Sequence, residues 1–249
     1  IPFVMLGDPG MKESQAIIET LIESGADALE LGIPFSDPVA DGPVIQTSAN
    51  RALAKGATPD GCLDVLANIR EKYTDIPAGL LVYANLVVGR GGERFYKRAA
   101  DSGVDSILVA DVPTLMAGPC VRYARDAGID PVFIVPPNAS DEKLREIAAL
   151  TKGYTYFLGR GGVTGADREM QAPLSSKITL LKEAGAPPIV VGFGISRPEH
   201  VKASLEAGAD GAISGSATVA IVAAHVGDTK KMHEELAAFV KNMKSATRL

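Results

Sequence analysis

Ser24-Gly25-Ala26-Asp27, Ser102-Gly103-Val104-Asp105, Ala127-Gly128-Ile129-Asp130, Ala184-Gly185-Ala186-Pro187 and Ala207-Gly208-Ala209-Asp210 are variants of one phrase. Each closes an amphipathic stretch and opens an apolar one. Glycine suits the residue just past a helix, where the backbone turns left-handed and a β-carbon would cost energy. The phrase therefore marks helix-to-strand junctions, and its recurrence marks a repeated βα unit. Working outward from these junctions places strands near residues 1–6, 27–32, 78–83, 105–110, 131–135, 154–158, 188–192 and 210–214. They are short apolar runs without alternation, as expected of parallel strands covered on both faces. Between them, Thr58-Pro59 sets a capping oxygen before a first-turn proline, and Ser140-Asp141-Glu142 opens a helix. The segment from 44 to 75 divides into two helices at Gly56-Ala57-Thr58, and a further helix occupies roughly 228–247.

Eight βα units could close into a barrel or lie open as a doubly wound sheet. Open sheets usually have fewer strands, and here the glycine-rich loops come late in the chain. The reading preferred is an α/β fold, a (β/α)8 TIM barrel with extra helices, formed by residues 1–249 as a single domain. The chain opens at Ile1 without a methionine, directly on a strand.

The bulk composition narrows the function. Of the 249 residues, 46% are hydrophobic and 22% charged, ample for a closed core and ordinary for a soluble protein. The net charge is −5 with no lysine or arginine block, which argues against a nucleic-acid partner. No apolar run is long enough to span a bilayer, and nothing at the start reads as a signal peptide. Cys62 and Cys120 lie far apart in helical stretches, so neither a disulfide framework nor a zinc site is suggested. A reduced, cytoplasmic setting fits this usage.

In a barrel the active site is built on the loops that follow the strands. Three of these are rich in glycine: Gly159-Arg160-Gly161-Gly162-Val163-Thr164-Gly165, Gly192-Phe193-Gly194-Ile195-Ser196 and Ser214-Gly215-Ser216-Ala217. Backbone N–H groups in such loops, and at a helix N-terminus, can approach an anion closely. One such loop would be read as a tight turn. Three in adjacent units point to a phosphate.

Glu30 lies in Ala28-Leu29-Glu30-Leu31-Gly32. Alternation sends Leu29 and Leu31 toward the helices and Glu30 into the barrel. No basic residue in the neighbouring strands offers it a partner, so a raised pKa and proton-transfer chemistry are expected. Asp41, Asp37, Asp8 and Asp111 sit in proline-containing rim loops, where helix capping or turn formation is the simpler reading of each. Tyr83 and Tyr156 lie in or at the ends of strands. His200, His225 and His233 fall in helices of the second half, away from strand ends. No lysine lies within a strand to form a Schiff base, and no cluster suits a metal.

Leu29-Glu30-Leu31-Gly32-Ile33-Pro34-Phe35-Ser36-Asp37-Pro38, Ala40-Asp41-Gly42-Pro43, Gly162-Val163-Thr164-Gly165 and Gly192-Phe193-Gly194-Ile195-Ser196 together resemble the tryptophan synthase α subunit. The likeness runs from Gly7-Asp8-Pro9-Gly10 to the last helix. It implies a lyase that cleaves indole-3-glycerol phosphate by a retro-aldol reaction, with Glu30 as acid–base, Asp41 holding the indole N–H and Tyr156 assisting. It implies phosphate contacts at Gly165, Gly194, Gly215 and Ser216 beside Thr164, and ring packing on Phe3, Leu81, Tyr83, Leu108, Ile134 and Phe193. It further implies docking to a tryptophan synthase β subunit, in an α2β2 heterotetramer, through Pro34, Asp37, Pro38, Asn85 and Pro113. The pyridoxal phosphate belongs to that partner, and this chain would carry no cofactor and no metal. Three features depart from the family. Gly159 and Gly161 stand where serine or threonine is commoner, Met5 stands where a small polar residue is common, and the chain begins after the family's leading helix.

Overall fold

The computed structural model describes residues 1–159 and 174–248. In chain order the elements are β1 (Phe3–Met5), α1 (Met11–Glu23), β2 (Leu29–Gly32), α2 (Pro43–Ala54), α3 (Pro59–Lys72), β3 (Ala78–Val82), α4 (Ala84–Val88), α5 (Gly92–Asp101) and β4 (Ser106–Val109). After a 3-10 turn at Thr114–Met116 come α6 (Gly118–Ala127), β5 (Asp130–Val132), β6 (Ile134–Val135), α7 (Asp141–Leu150), β7 (Thr155–Leu158) and α8 (Leu174–Glu183). The chain finishes with β8 (Ile189–Gly192), α9 (Pro198–Glu206), β9 (Gly211–Ala212), α10 (Ser216–Ala224) and α11 (Thr229–Ser245).

The five junction glycines do what their repetition suggested. Gly25, Gly103, Gly128, Gly185 and Gly208 all have positive φ, between 72° and 99°. Thr58 accepts a capping bond from the Gly61 N–H, and Ser140 accepts one from the Lys143 N–H. The helices pack their apolar faces on the sheet, as with Ile17, Ile18 and Leu21 of α1, all buried.

All strand pairs are parallel, in the orders β1-β2-β3-β4-β5 and β6-β7-β8-β9. The expected fifth strand, 131–135, is thus two pieces parted at Phe133: β5 pairs with β4, and β6 pairs with β7. The other seam is closed by a bridge between Pro2 and Ser214, with the Phe3 N–H on the Ser214 carbonyl and the Ser214 N–H on the Ile1 carbonyl, both at 2.9 Å. Taken with the continuous chain through Phe133, the two sheets make the eight-stranded (β/α)8 barrel. No described helix is long and apolar enough to cross a membrane.

Register then positions the interior. Phe3, Glu30, Gly79 and Ser106 are partners across β1, β2, β3 and β4, so they share one row on the inner face. Two residues along, Gly32 pairs with Met5 and Leu81. A β-carbon on Gly32 would lie 2.8 Å from Phe3 Cζ and 3.0 Å from Met5 Sδ, so this glycine leaves the room those side chains fill.

Candidate active site

One cavity at the C-terminal ends of the strands gathers residues from most of the barrel. It is lined by Phe3, Glu30, Ala40, Asp41, Ile45, Leu81, Ala110, Ile134, Tyr156, the loop residues Phe193 to Ser196, Ile213 and Gly215 to Ala217. Of the residues named from sequence, Glu30, Asp41 and Tyr156 share this cavity with Phe3, Leu81, Ile134, Phe193, Gly194, Gly215 and Ser216. Leu108 is buried in the row beside Leu81 and does not line it. Tyr83 does not line it either, and Thr164, Gly165 and Gly161 lie outside the described residues. Ala40, Ile45, Ala110, Ile195, Ser196, Ile213 and Ala217 also line it and were not assigned from sequence. Ile45 and Ala217 lie in the first turns of α2 and α10, and the others are small or apolar residues of loops that follow strands, with no chemical signal of their own.

Glu30 is almost wholly buried, and its pKa is raised from 4.5 to about 7. Burial is the main cause, because the charged form loses its hydration, and the Asp41 carboxylate adds to the rise. Opposing it is a hydrogen bond from Tyr154. The Tyr154 hydroxyl donates to Glu30 Oε1 at 2.9 Å across a sequence separation of 124 residues. Sequence reasoning passed over Tyr154, which precedes β7. Yet period-two alternation puts it on the same inward face as Tyr156, and Gly79 has no side chain to block its reach across the barrel.

Asp41 does not cap α2. The cap position is Gly42, with no side-chain bond, and α2 begins on Pro43. Asp41 is instead turned inward and buried, with its backbone N–H on the Pro38 carbonyl at 3.2 Å and its own carbonyl accepting from Gln46 Nε2 at 2.7 Å. Its pKa rises to about 6 through burial, against a hydrogen bond from Tyr83. Tyr83, expected against a ring, thus serves the carboxylate; it also accepts from the Ala40 N–H at 3.3 Å and stacks on Phe35 at 5.4 Å. Asp8 takes a bidentate bond from Arg51, at 2.9 and 2.7 Å, and a bond from Ser48, tying the first rim loop to α2. Asp111 accepts from the Ala84 N–H at 2.7 Å and so caps α4 from the neighbouring loop.

Tyr156 is fully enclosed and its pKa is raised by burial, then by the charges of Glu30 and Asp41, so it is a neutral phenol and a proton donor. Its ring meets Phe193 edge-on at 6.3 Å. A β-carbon on Gly192 would lie 2.2 Å from the Tyr156 hydroxyl oxygen and 2.4 Å from Cζ. Gly192→Ala is therefore expected to displace Tyr156, costing about 1–3 kcal/mol of stability by overpacking. A denaturant titration checks this; an unchanged midpoint would mean that the ring has room to yield.

The anion-binding elements lie beside the carboxylates. Phe193 has φ 67° and Gly194 φ 88°, two left-handed residues in succession. A non-glycine residue held there is uncommon and gathers at functional sites. Gly215 is the N-cap of α10 and Ser216 its first residue, where backbone N–H groups have no partner within the helix. On the rim, Asp37, Asn85 and Pro113 are exposed, Pro38 is half-buried and Pro34 is buried.

The same architecture is found in known proteins. The tryptophan synthase alpha chain family model matches residues 1–248. The chain belongs to this family. The alpha chain of an Escherichia coli strain is 55% identical over 248 residues, covering 100% of this chain and 92% of that one. The Vibrio vulnificus alpha chain is 53% identical over 247 residues, covering 99% and 92%. Among solved structures, the tryptophan synthase α2β2 complex of Pyrococcus furiosus contains a chain that superposes with a TM-score of 0.86 at 33% identity, covering 98% of this chain and 96% of that chain. The alpha subunit from Legionella pneumophila gives 0.87 at 30%, covering 98% and 90%.

Proposed function

We propose that this tryptophan synthase alpha-family chain catalyses the α reaction, cleaving indole-3-glycerol phosphate into indole and glyceraldehyde 3-phosphate. The observation that carries it is Glu30, a buried carboxyl with a pKa of about 7 that shares one cavity with Asp41 and the left-handed glycine loop. Breaking a carbon–carbon bond needs an electron sink. No lysine lies in any described strand to form an imine. Here the sink is made within the substrate. Protonated Glu30 gives its proton to indole C3, the ring nitrogen takes up the positive charge, and Asp41 holds that N–H and stabilises the charge. The Glu30 carboxylate then takes the proton of the glycerol hydroxyl next to the bond. The hydroxyl becomes the aldehyde carbonyl, and the bonding pair returns to the ring to restore indole. Glu30 ends protonated, as it began.

The phosphate is assigned to the backbone N–H groups at Gly194, Gly215 and Ser216, with Gly165 and Thr164 as further candidates, and the ring to Phe3, Leu81, Ile134 and Phe193. Tyr154 holds Glu30, and Tyr156 offers a hydroxyl to the cleaving side chain. No cofactor is assigned to this chain, and the setting proposed is cytoplasmic.

A β subunit is the proposed partner, giving an α2β2 assembly whose β subunits carry the pyridoxal phosphate. Support comes from the rim. Val39, Val88, Leu115 and Met116 are large apolar residues exposed on the segments that follow β2, β3 and β4, Val88 at the end of α4 and the last two in the 3-10 turn, and Leu115 is 92% exposed. They surround Asp37, Pro38, Asn85 and Pro113 in sequence. Apolar side chains so fully presented on adjacent loops suit a protein surface that covers them.

Mixing the chain with indole-3-glycerol phosphate, alone and with a tryptophan synthase β subunit, tests both parts. The chain has no tryptophan, so indole fluorescence faces little background. Indole release that rises on adding the β subunit is expected. No release in either mixture would overturn the catalytic reading.

A further inference from the structure

We propose that His200 is a positioning residue for the phosphate loop, acting through the backbone of Ser196 and touching no substrate atom. The proposal rests on reading Gly192–Ser196 as part of the anion cradle. That loop carries its two left-handed residues, Phe193 and Gly194, between the end of β8 and the start of α9. Such a backbone persists only when its surroundings fix it.

Three hydrogen bonds do so. The Gly192 carbonyl accepts from the Gly159 N–H at 2.9 Å, and the Ile195 carbonyl accepts from Ser214 Oγ at 2.8 Å. The Ser196 N–H donates to His200 Nδ1 at 3.2 Å, with Ser196 Oγ 3.4 Å from the same nitrogen. His200 stands in the first turn of α9, after Pro198 and Glu199, and its own N–H donates to the Arg197 carbonyl at 3.0 Å. Its ring therefore reaches back past the cap residue, whose side chain makes no capping bond. This is the reach of a capping-box residue, extended by one position. It ties the loop to a helix that packs on β9 and α11.

A neutral imidazole accepts at one nitrogen only, so the Ser196 N–H on Nδ1 goes with the tautomer whose hydrogen is on Nε2. The Arg197 guanidinium, 3.2 Å from Nε2, favours the other tautomer, in which Nε2 accepts and Nδ1–H faces Ser196 Oγ. Sequence reading placed His200 away from the strand ends because it lies on a helix; the back-reaching ring brings it to the rim.

The test compares His200→Ala with His200→Asn, whose side-chain oxygen can accept where Nδ1 does. With the β subunit present, the alanine variant should raise KM for indole-3-glycerol phosphate about five- to tenfold, the scale of one lost hydrogen bond, with kcat within about twofold. The dissociation constant of glycerol phosphate from the chain alone should rise in parallel. The asparagine variant should restore both to within about twofold of the unsubstituted chain. An unchanged KM in the alanine variant, or an asparagine variant as impaired as alanine, would overturn the proposal. If the unsubstituted chain binds neither glycerol phosphate nor inorganic phosphate, the cradle reading itself falls, and this proposal with it.

Discussion

Replacing Glu30 by glutamine is expected to lower indole release by about a thousandfold, within the range that a positioned acid–base contributes. Glutamine keeps the size and can still accept the hydrogen bond from Tyr154, but it has no proton to give to C3 and no charge with which to take one back. The fold and β-subunit docking should survive. Stability should in fact improve, in a way that depends on pH. The folded protein holds the Glu30 proton up to about pH 7, whereas the unfolded chain releases it near 4.5. Between those values the folded state binds more protons, so acid favours folding and stability is lost as pH rises from 4.5 to 7. Above 7 the cost of the buried charge is complete, on the order of 3 kcal/mol as an upper figure. The Glu30→Gln protein should therefore melt several degrees higher than its parent at pH 8 and at nearly the same temperature at pH 4. A variant that melts lower at pH 8, or one that keeps its turnover, would remove Glu30 from the centre of the mechanism.

The second large effect is expected at Asp41. Asp41→Asn keeps a hydrogen-bond acceptor for the ring N–H but loses the charge that faces the developing cation. Turnover should fall by about a hundredfold with KM within about threefold, since the interaction strengthens only as the ring becomes positive. Equal losses in both would mean that Asp41 merely binds the ground state. The pH profile gives an independent reading. Asp41 must be ionised, so kcat/KM should fall as pH drops below about 6, and Glu30 must be protonated, so it should fall again above about 7. The asparagine variant should retain the alkaline limb and lose the acid one.

How much of this was legible in the sequence depends on whether a residue acts locally or across the barrel. Gly25, Gly103 and Gly128 announce left-handed backbone by themselves, and eight strands follow from such positions. The inward face of Glu30 follows from alternation within four residues of β2. What alternation could not supply was the partner. Tyr154 meets Glu30 only after the chain has gone halfway around the barrel, so that the two face each other across it, and nothing local to either residue encodes the meeting. Asp41 failed differently. A carboxylate before a proline-led helix has the local marks of a cap, and only burial against Tyr83 shows that its side chain turned away from the helix. The break at Phe133 was also hidden, because an uninterrupted apolar run does not show where its hydrogen bonds change partner.

The seam between Pro2 and Ser214 has a bearing on how the molecule behaves when loaded. A single bridge joins the last strand to the first, and Phe3 on one side and Gly215 and Ser216 on the other both reach the cavity. A bound phosphate ester would thus lie across the join like a clasp, its ring against one edge and its anion on the other. Opening the seam would require letting go of the ligand, so occupancy adds its own free energy to the barrel's closure. In a working enzyme the substrate would then belong to the architecture for as long as it stays.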